Sequence, residues 1–307
     1  MLLLRAPLAS LSSRCCTLGG AAAAAASRGA WALRASRSYD GDVPAALRLI
    51  DTHCHLADPT LASQRRELVA RAQDAGVVAA IVVGEDYQDN LRVLELAAAE
   101  PFVRPALGHH PWRMAEAAAD LPRTLALIER HAAELVAIGE VGLDYRVAVT
   151  EPERAAQRAV FSEMVRVAMR FELPLSVHVR SAGHYVIELL DELGCNRAAL
   201  HAFDGKARYM LLGAGRGLYF SLPGTTLVSE QKQKLARALP LERLLFESDT
   251  PALSPEPGQG SEPAIVRRVL EHVAALRGLE PEAVAGAAYR NTLLAFPRLA
   301  ERQGRAT

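Results

Sequence analysis

The chain has 307 residues, 50% of them apolar and 23% charged, with 35 basic and 35 acidic side chains. That length suits one large domain or two ordinary ones, and the apolar share excludes a chain too polar to fold. No apolar stretch of about 18 residues escapes a charge or a breaker, so no membrane-spanning helix is expected. Four cysteines give no disulfide framework, which makes a reducing compartment the default.

The balanced charge conceals an asymmetry. Residues 1–39 carry five arginines and no acid; without them 30 basic residues face 35 acidic ones, a balance of −5. A body of that sign excludes an extended surface for coating nucleic acid, which needs clustered Lys and Arg. Any such contact is expected to be local. Residues 1–46 read as a leader rich in Arg, Ser and Ala, in the manner of a basic, amphipathic mitochondrial transit peptide. A cytoplasmic or nuclear location is the alternative if the segment serves no import. Residues 47–307 are expected to form the functional domain.

From residue 47 onward, short aliphatic runs alternate with longer helical patterns. Strands are expected at 47–53, 77–83, 103–108, 135–140, 173–179, 198–201, 218–222 and 244–249. Helices are expected at 64–75, 90–99, 123–133, 153–171, 183–193, 206–212, 229–238 and 264–276. Nearly continuous apolar strands imply burial on both faces, as in parallel sheets. Eight strand–helix alternations predict an α/β fold, the (β/α)₈ TIM barrel. A doubly wound open sheet is the alternative.

Polar residues fall where these strands end. Strand 1 finishes in His53-Cys54-His55, strand 3 in His109-His110, strand 4 in Glu140, strand 5 in His178, strand 6 in His201 and strand 8 in Asp249. Barrels place their chemistry at the C-terminal ends of the strands. His53 and His55, two apart on a strand, point to one side and can reach one metal. Cys54 then points the other way and is expected to pack. A carboxylate at the end of an apolar strand is costly to bury without a partner. Its two oxygens suit Glu140 to bridging a pair of cations. His178 and His201, on consecutive strands, can hold a second metal. Asp249 returns beside strand 1 when the barrel closes, where it can ligate the first metal and take a proton from water.

Taken together, Asp51-Thr52-His53-Cys54-His55, Gly108-His109-His110-Pro111, Gly139-Glu140-Val141-Gly142-Leu143-Asp144, His178-Val179-Arg180, His201-Ala202-Phe203-Asp204-Gly205 and Glu247-Ser248-Asp249-Thr250-Pro251 resemble the TatD family of metal-dependent deoxyribonucleases. The likeness runs over about residues 48–297, and details such as Gln231-Lys232-Gln233-Lys234 resemble a vertebrate subgroup, the third TatD-domain type. It implies one metal on His53, His55, Glu140 and Asp249, and a second on Glu140, His178 and His201. Ser181 and Ser248 depart from the usual family residues without touching that set.

The resemblance implies a phosphodiester hydrolase with two divalent ions (zinc, manganese or magnesium) acting on DNA, with single strands or 3′ ends as substrate. Arg180 is a candidate phosphate clamp, since guanidinium binds phosphate bidentately, and pairing with Asp204 or Glu247 is its alternative. His110 is a candidate substrate contact. Two other functions stay open at this stage: a small-substrate amidohydrolase or lactonase, because fold does not fix function, and a non-catalytic protein that keeps the metal site.

Overall fold

A computed structural model describes residues 47–303 of the chain; the expected leader over 1–46 lies outside them. Eight strands form one parallel sheet in sequence order: β1 (Leu49–Cys54), β2 (Val77–Val83), β3 (Val103–Leu107), β4 (Ala137–Asp144), β5 (Leu175–Arg180), β6 (Ala198–His201), β7 (Tyr219–Leu222) and β8 (Leu244–Phe246). The sheet closes where the end of β8 meets β1. Thr52 Oγ1 donates to Phe246 O at 2.9 Å, and Asp249 N donates to His53 O at 3.0 Å. This is the expected (β/α)₈ barrel rather than an open sheet.

Ten α-helices lie among the described residues. They are α1 (Arg65–Asp74), α2 (Tyr87–Ala99), α3 (Ala117–His131), α4 (Glu151–Arg170), α5 (Gly183–Glu192), α6 (Ala207–Gly215), α7 (Glu230–Ala238), α8 (Ile265–Arg277), α9 (Pro281–Ala295) and α10 (Arg298–Gln303). Local chemistry sets several ends. Asp86 accepts from Asp89 N to start α2, Thr150 and Glu153 form a reciprocal cap on α4, and Gly278 at φ 64° stops α8.

The alternation of side chains along β2 separates two cores. Ala80 and Val82 pack outward against the helices, whereas Ala79, Ile81 and Val83 fill the barrel interior with Ile50, Ala106, Ala199 and Leu245. Phe296 and Leu299, both buried, seal that interior from below. Polar groups are thus left to the opposite end.

Several elements differ from expectation. β4 continues to Asp144, so Glu140 sits inside a strand rather than at its end. Gly142 permits this: at φ 149° it lies so close to His178 O that a Cβ there would sit 2.1 Å away. β8 stops at Phe246, and Asp249 lies three residues beyond it at φ 52°, a region that Asp tolerates better than most residues. α3 starts before Pro122, which reads as a boundary but sits in the helix's first turns. α9 and α10 were not expected at all: the apolar positions of α9 are mostly small alanines, and α10 is only six residues long.

Candidate metal centre

Glu140 is the hub. Its side chain, 2% exposed, is surrounded by imidazoles drawn from four loops and strands. Oε2 lies 3.4 Å from His53 Nε2 and 3.3 Å from His55 Nε2. Oε1 lies 2.8 Å from His178 Nδ1, 2.9 Å from His201 Nε2 and 3.3 Å from His110 Nε2. One carboxylate therefore turns a different oxygen to each histidine set. Asp249 joins the first set, its Oδ1 3.7 Å from His53 Nε2 and 3.4 Å from His55 Nε2.

Strand register explains the second set. His178 and His201 are direct neighbours across β5 and β6, as consecutive strand ends required. All six residues expected as ligands converge. Three overlapping groups have donor atoms within 4.8 Å of one another: His53, His55 and Glu140; His53, His201 and Asp249; and His110, Glu140 and His178. His201 thus belongs to both sides, and its ring stacks on that of His53 with centroids 3.8 Å apart.

The donors are held from behind. His53 Nδ1 lies 2.8 Å from Ser176 Oγ, and His178 Nε2 lies 3.0 Å from Asp144 Oδ2. Trp112 Nε1 also donates to Asp144 Oδ2, at 2.6 Å. Glu247 Oε1 faces His201 Nδ1 at 3.6 Å, while Ser221 Oγ donates to Glu247 Oε2. Such outer partners set which ring nitrogen faces the centre. Below them, Ser248 Oγ donates to Asp51 Oδ2 at 2.6 Å, and burial pushes the Asp51 carboxyl up to about 7.

Charge inside the cluster follows from competition between burial and neighbours. Burial pulls the imidazoles of His55, His178 and His201 towards neutrality, but the carboxylates outweigh it and raise all three pKa values. Burial wins at His53 and His110, which are held neutral. Burial likewise disfavours the charge on Glu140 and Asp249, yet the surrounding imidazoles hold both carboxyls below the usual range. Among the described residues, His53 Nε2 is buried without a hydrogen-bond partner while facing two carboxylates. Buried carboxylates beside imidazole nitrogens must be neutralised by protons or by cations. Nitrogen and oxygen donors in this number suit divalent transition metals, so the residues present fit the metals expected from sequence.

The two candidate substrate contacts are placed differently. His110 accepts the Trp112 backbone N–H at Nδ1 (3.1 Å), which leaves the proton of the neutral ring on Nε2, aimed at Glu140 Oε1. Arg180 is exposed on the rim, 3.9 Å from Asp144 Oδ2 and 5.9 Å above the Trp112 ring. Its partner is neither Asp204 nor Glu247. The cavity over the cluster, about 340 Å³, is lined instead by Arg92 and Arg113, with Glu85, Trp112 and the central residues. Lys232 donates from α7 to Ala202 O at 2.8 Å, just beyond His201, and burial lowers its pKa despite the nearby acids. Arg92 and Lys232 lie on helices α2 and α7, and Trp112 and Arg113 on a turn after β3, where no strand-end pattern marks them; Glu85, two residues past β2, follows an apolar run but is a lone carboxylate without a histidine beside it. Cys54 packs in the outer core, its thiol towards Ile81 O, as expected.

The chain matches the family model described as TatD related DNase over residues 50–297. It is 37% identical over 265 residues to the Homo sapiens protein named deoxyribonuclease TATDN3, a match spanning 83% of this chain and 97% of the relative. It is 30% identical to a Salmonella typhimurium protein named 3'-5' ssDNA/RNA exonuclease TatD, over 81% of this chain and 98% of that one. The crystal structure of YJJV, a TatD homologue from Escherichia coli K12, superposes with a TM-score of 0.76 at 29% identity, covering 82% of this chain and 99% of that structure. Further relatives at similar coverage carry the name metal-dependent hydrolase. A barrel whose mouth gathers histidines and carboxylates, matched along nearly its whole described length, belongs to the TatD-related DNases, and the chain is a metal-dependent hydrolase of that family.

Proposed function

We propose that this hydrolase cleaves DNA phosphodiester bonds at a centre for two divalent ions, with unpaired strands or 3′ ends as its substrate. The observation that carries the two-ion reading is the division of Glu140, one oxygen towards His53 and His55 and the other towards His178 and His201. His53, His55, Glu140 and Asp249 would hold the first ion, and Glu140, His178 and His201 the second. Bound there, such ions neutralise charge on the phosphoryl oxygens and make a water more acidic.

The chain's own groups supply the remainder. Asp249 stays ionised because His55 and its neighbours outweigh burial, so its carboxylate can accept the proton that the attacking water gives up. The water oxygen bonds to phosphorus as the ester P–O bond breaks, and the leaving oxygen takes up the proton that Asp249 accepted. His110 lines the cavity, and its Nε2–H, facing Glu140 Oε1, is a donor within the centre suited to a phosphoryl oxygen. Arg92, Arg113 and Arg180 surround the entrance with guanidinium groups that match phosphate. The names of the human and Salmonella relatives support nucleic acid as the substrate class.

The test is to strip the protein, reload it with zinc, manganese or magnesium, and assay labelled single-stranded DNA beside amide and lactone substrates. Glu140→Ala and Asp249→Asn serve as controls, with metal content measured by mass spectrometry. The expected result is metal-dependent DNA cleavage that falls at least a hundredfold in both variants, with Glu140→Ala losing bound metal as well. DNA cleavage indifferent to both substitutions, or activity confined to the amides and lactones, overturns the reading.

A further inference from the structure

Aromatic rings gather in a row along the rim of β3, β4, β5 and β6. Trp112 stands at the cavity, its side chain 50% exposed and its indole anchored through Nε1 to Asp144. The residue after Asp144, Tyr145, has its ring 5.0 Å from that of Tyr185. Tyr185 in turn lies 3.8 Å from His184, and His184 lies 4.9 Å from Tyr209 with the rings nearly parallel. These residues follow the C-terminal ends of four adjacent strands, β3 to β6, on the face that carries the metal centre. Guanidinium groups are interleaved with them: Arg180 above Trp112, Arg154 above Tyr145 and Arg208 above Tyr209.

Core packing accounts for part of this row but not for its exposed rings. Tyr145 is buried in the outer core and Tyr209 packs against it, but Trp112 is 50% and Tyr185 39% exposed, and Arg180 and Arg208 reach into solvent. In a body of acidic balance, this sector alternates π faces with cations at the mouth of a hydrolytic site. A nucleic-acid strand with unpaired bases has the matching repeat, a flat base and then a phosphate. A duplex does not, because its base faces are already stacked on one another.

We infer that the row from Trp112 to Tyr209 is a stacking track that holds the unpaired strand running away from the scissile phosphate. The inference rests on the nuclease reading and adds to it where the substrate lies and why it is single-stranded. Trp112 takes the base beside the reacting phosphate, and Tyr185 and Tyr209 take bases further out.

The experiment uses the full-length, metal-loaded protein. A fluorescein-labelled phosphorothioate oligothymidine of about ten nucleotides resists cleavage and spans more than one stacking site. Its affinity is read by fluorescence anisotropy and compared with that of a phosphorothioate dinucleotide and a blunt duplex. The wild type is expected to bind the oligomer at least tenfold more tightly than either. Tyr185→Ala and Tyr209→Ala should each weaken oligomer binding by about tenfold and leave dinucleotide binding unaltered. Tyr185→Phe and Tyr209→Phe, which keep the ring, should bind as the wild type does. Thermal unfolding of all four variants checks that the fold survives. Alanine variants that bind the oligomer normally, phenylalanine variants that fail as badly as alanine, or a duplex bound as tightly as the strand would each overturn the track. A wild type that cuts single-stranded DNA but shows no preference for length sinks the track alone. A wild type that neither binds nor cuts any nucleic acid sinks the nuclease reading with it.

Discussion

Asp144 accepts from Trp112 Nε1 and lies against His178 Nε2, and it never faces the cluster directly. Burial raises its pKa, but these partners, His178 foremost, outweigh it and bring the value down to about 2. The folded value lies below the ordinary one of about 4. The stabilisation is therefore present above about pH 4 and is lost as pH falls through 2, with roughly 2 kcal/mol at stake for a fully buried carboxyl. Asp144→Asn keeps the shape but removes the charge that orients His178. Metal affinity should fall roughly 10–100-fold, measured by competition with a chelating dye. The acid limb of the variant's stability curve should also flatten. Unchanged metal affinity would show that His178 needs no such support.

At the scale of elements, the centre depends on how tightly β3, β4 and β5 approach one another. A Cβ on Gly108 would meet the Glu140 backbone at 2.3 Å, so this contact admits only glycine. The opposite end of the barrel depends on the segment after α9, where Phe296 is wholly buried beneath Ile50, Ile81 and Leu245. Phe296→Ala should cost about 3–5 kcal/mol by leaving a void. For a domain of this size that is a fall in Tm of roughly 6–20 °C, read by calorimetry on the metal-loaded protein. A drop much smaller than this would mean that the floor of the barrel closes by another route. The histidines at strand ends were legible in the sequence, because a polar residue after an apolar run is a local pattern. Trp112, Arg92, Arg113 and Lys232 were not, since where a loop leads, and which face a helix turns to the mouth, depend on what each packs against.

Over the whole molecule, the metal centre couples stability to pH in opposite senses with and without metal. Without metal, His55, His178 and His201 have raised pKa values in the folded state. Their contribution is fully present below about pH 6.5 and is lost as pH rises through the folded values. Metal binding needs the same imidazoles neutral, so its stabilisation grows as pH rises and is lost in acid. At a free metal concentration of about 100 Kd the gain is roughly 2.7 kcal/mol per site. Thermal unfolding between about pH 6 and 8 should therefore show the two forms diverging as pH rises. Parallel curves would mean that these histidines are not the ligands.

By itself the amino-acid sequence determined the eight strands, the eight helices that alternate with them, the barrel, and the six candidate donors His53, His55, Glu140, His178, His201 and Asp249. Each is encoded within a few residues, as an apolar run broken by one costly polar group. Tertiary structure decided the rest. It showed that Glu140 lies inside β4 with an oxygen for each histidine set, that His110 joins them through a turn, and that Arg180 stands on the rim while Arg92 and Arg113 line the cavity. Those facts depend on distances between segments far apart in sequence. Only the closed barrel, with its strand register and loop packing, sets such distances.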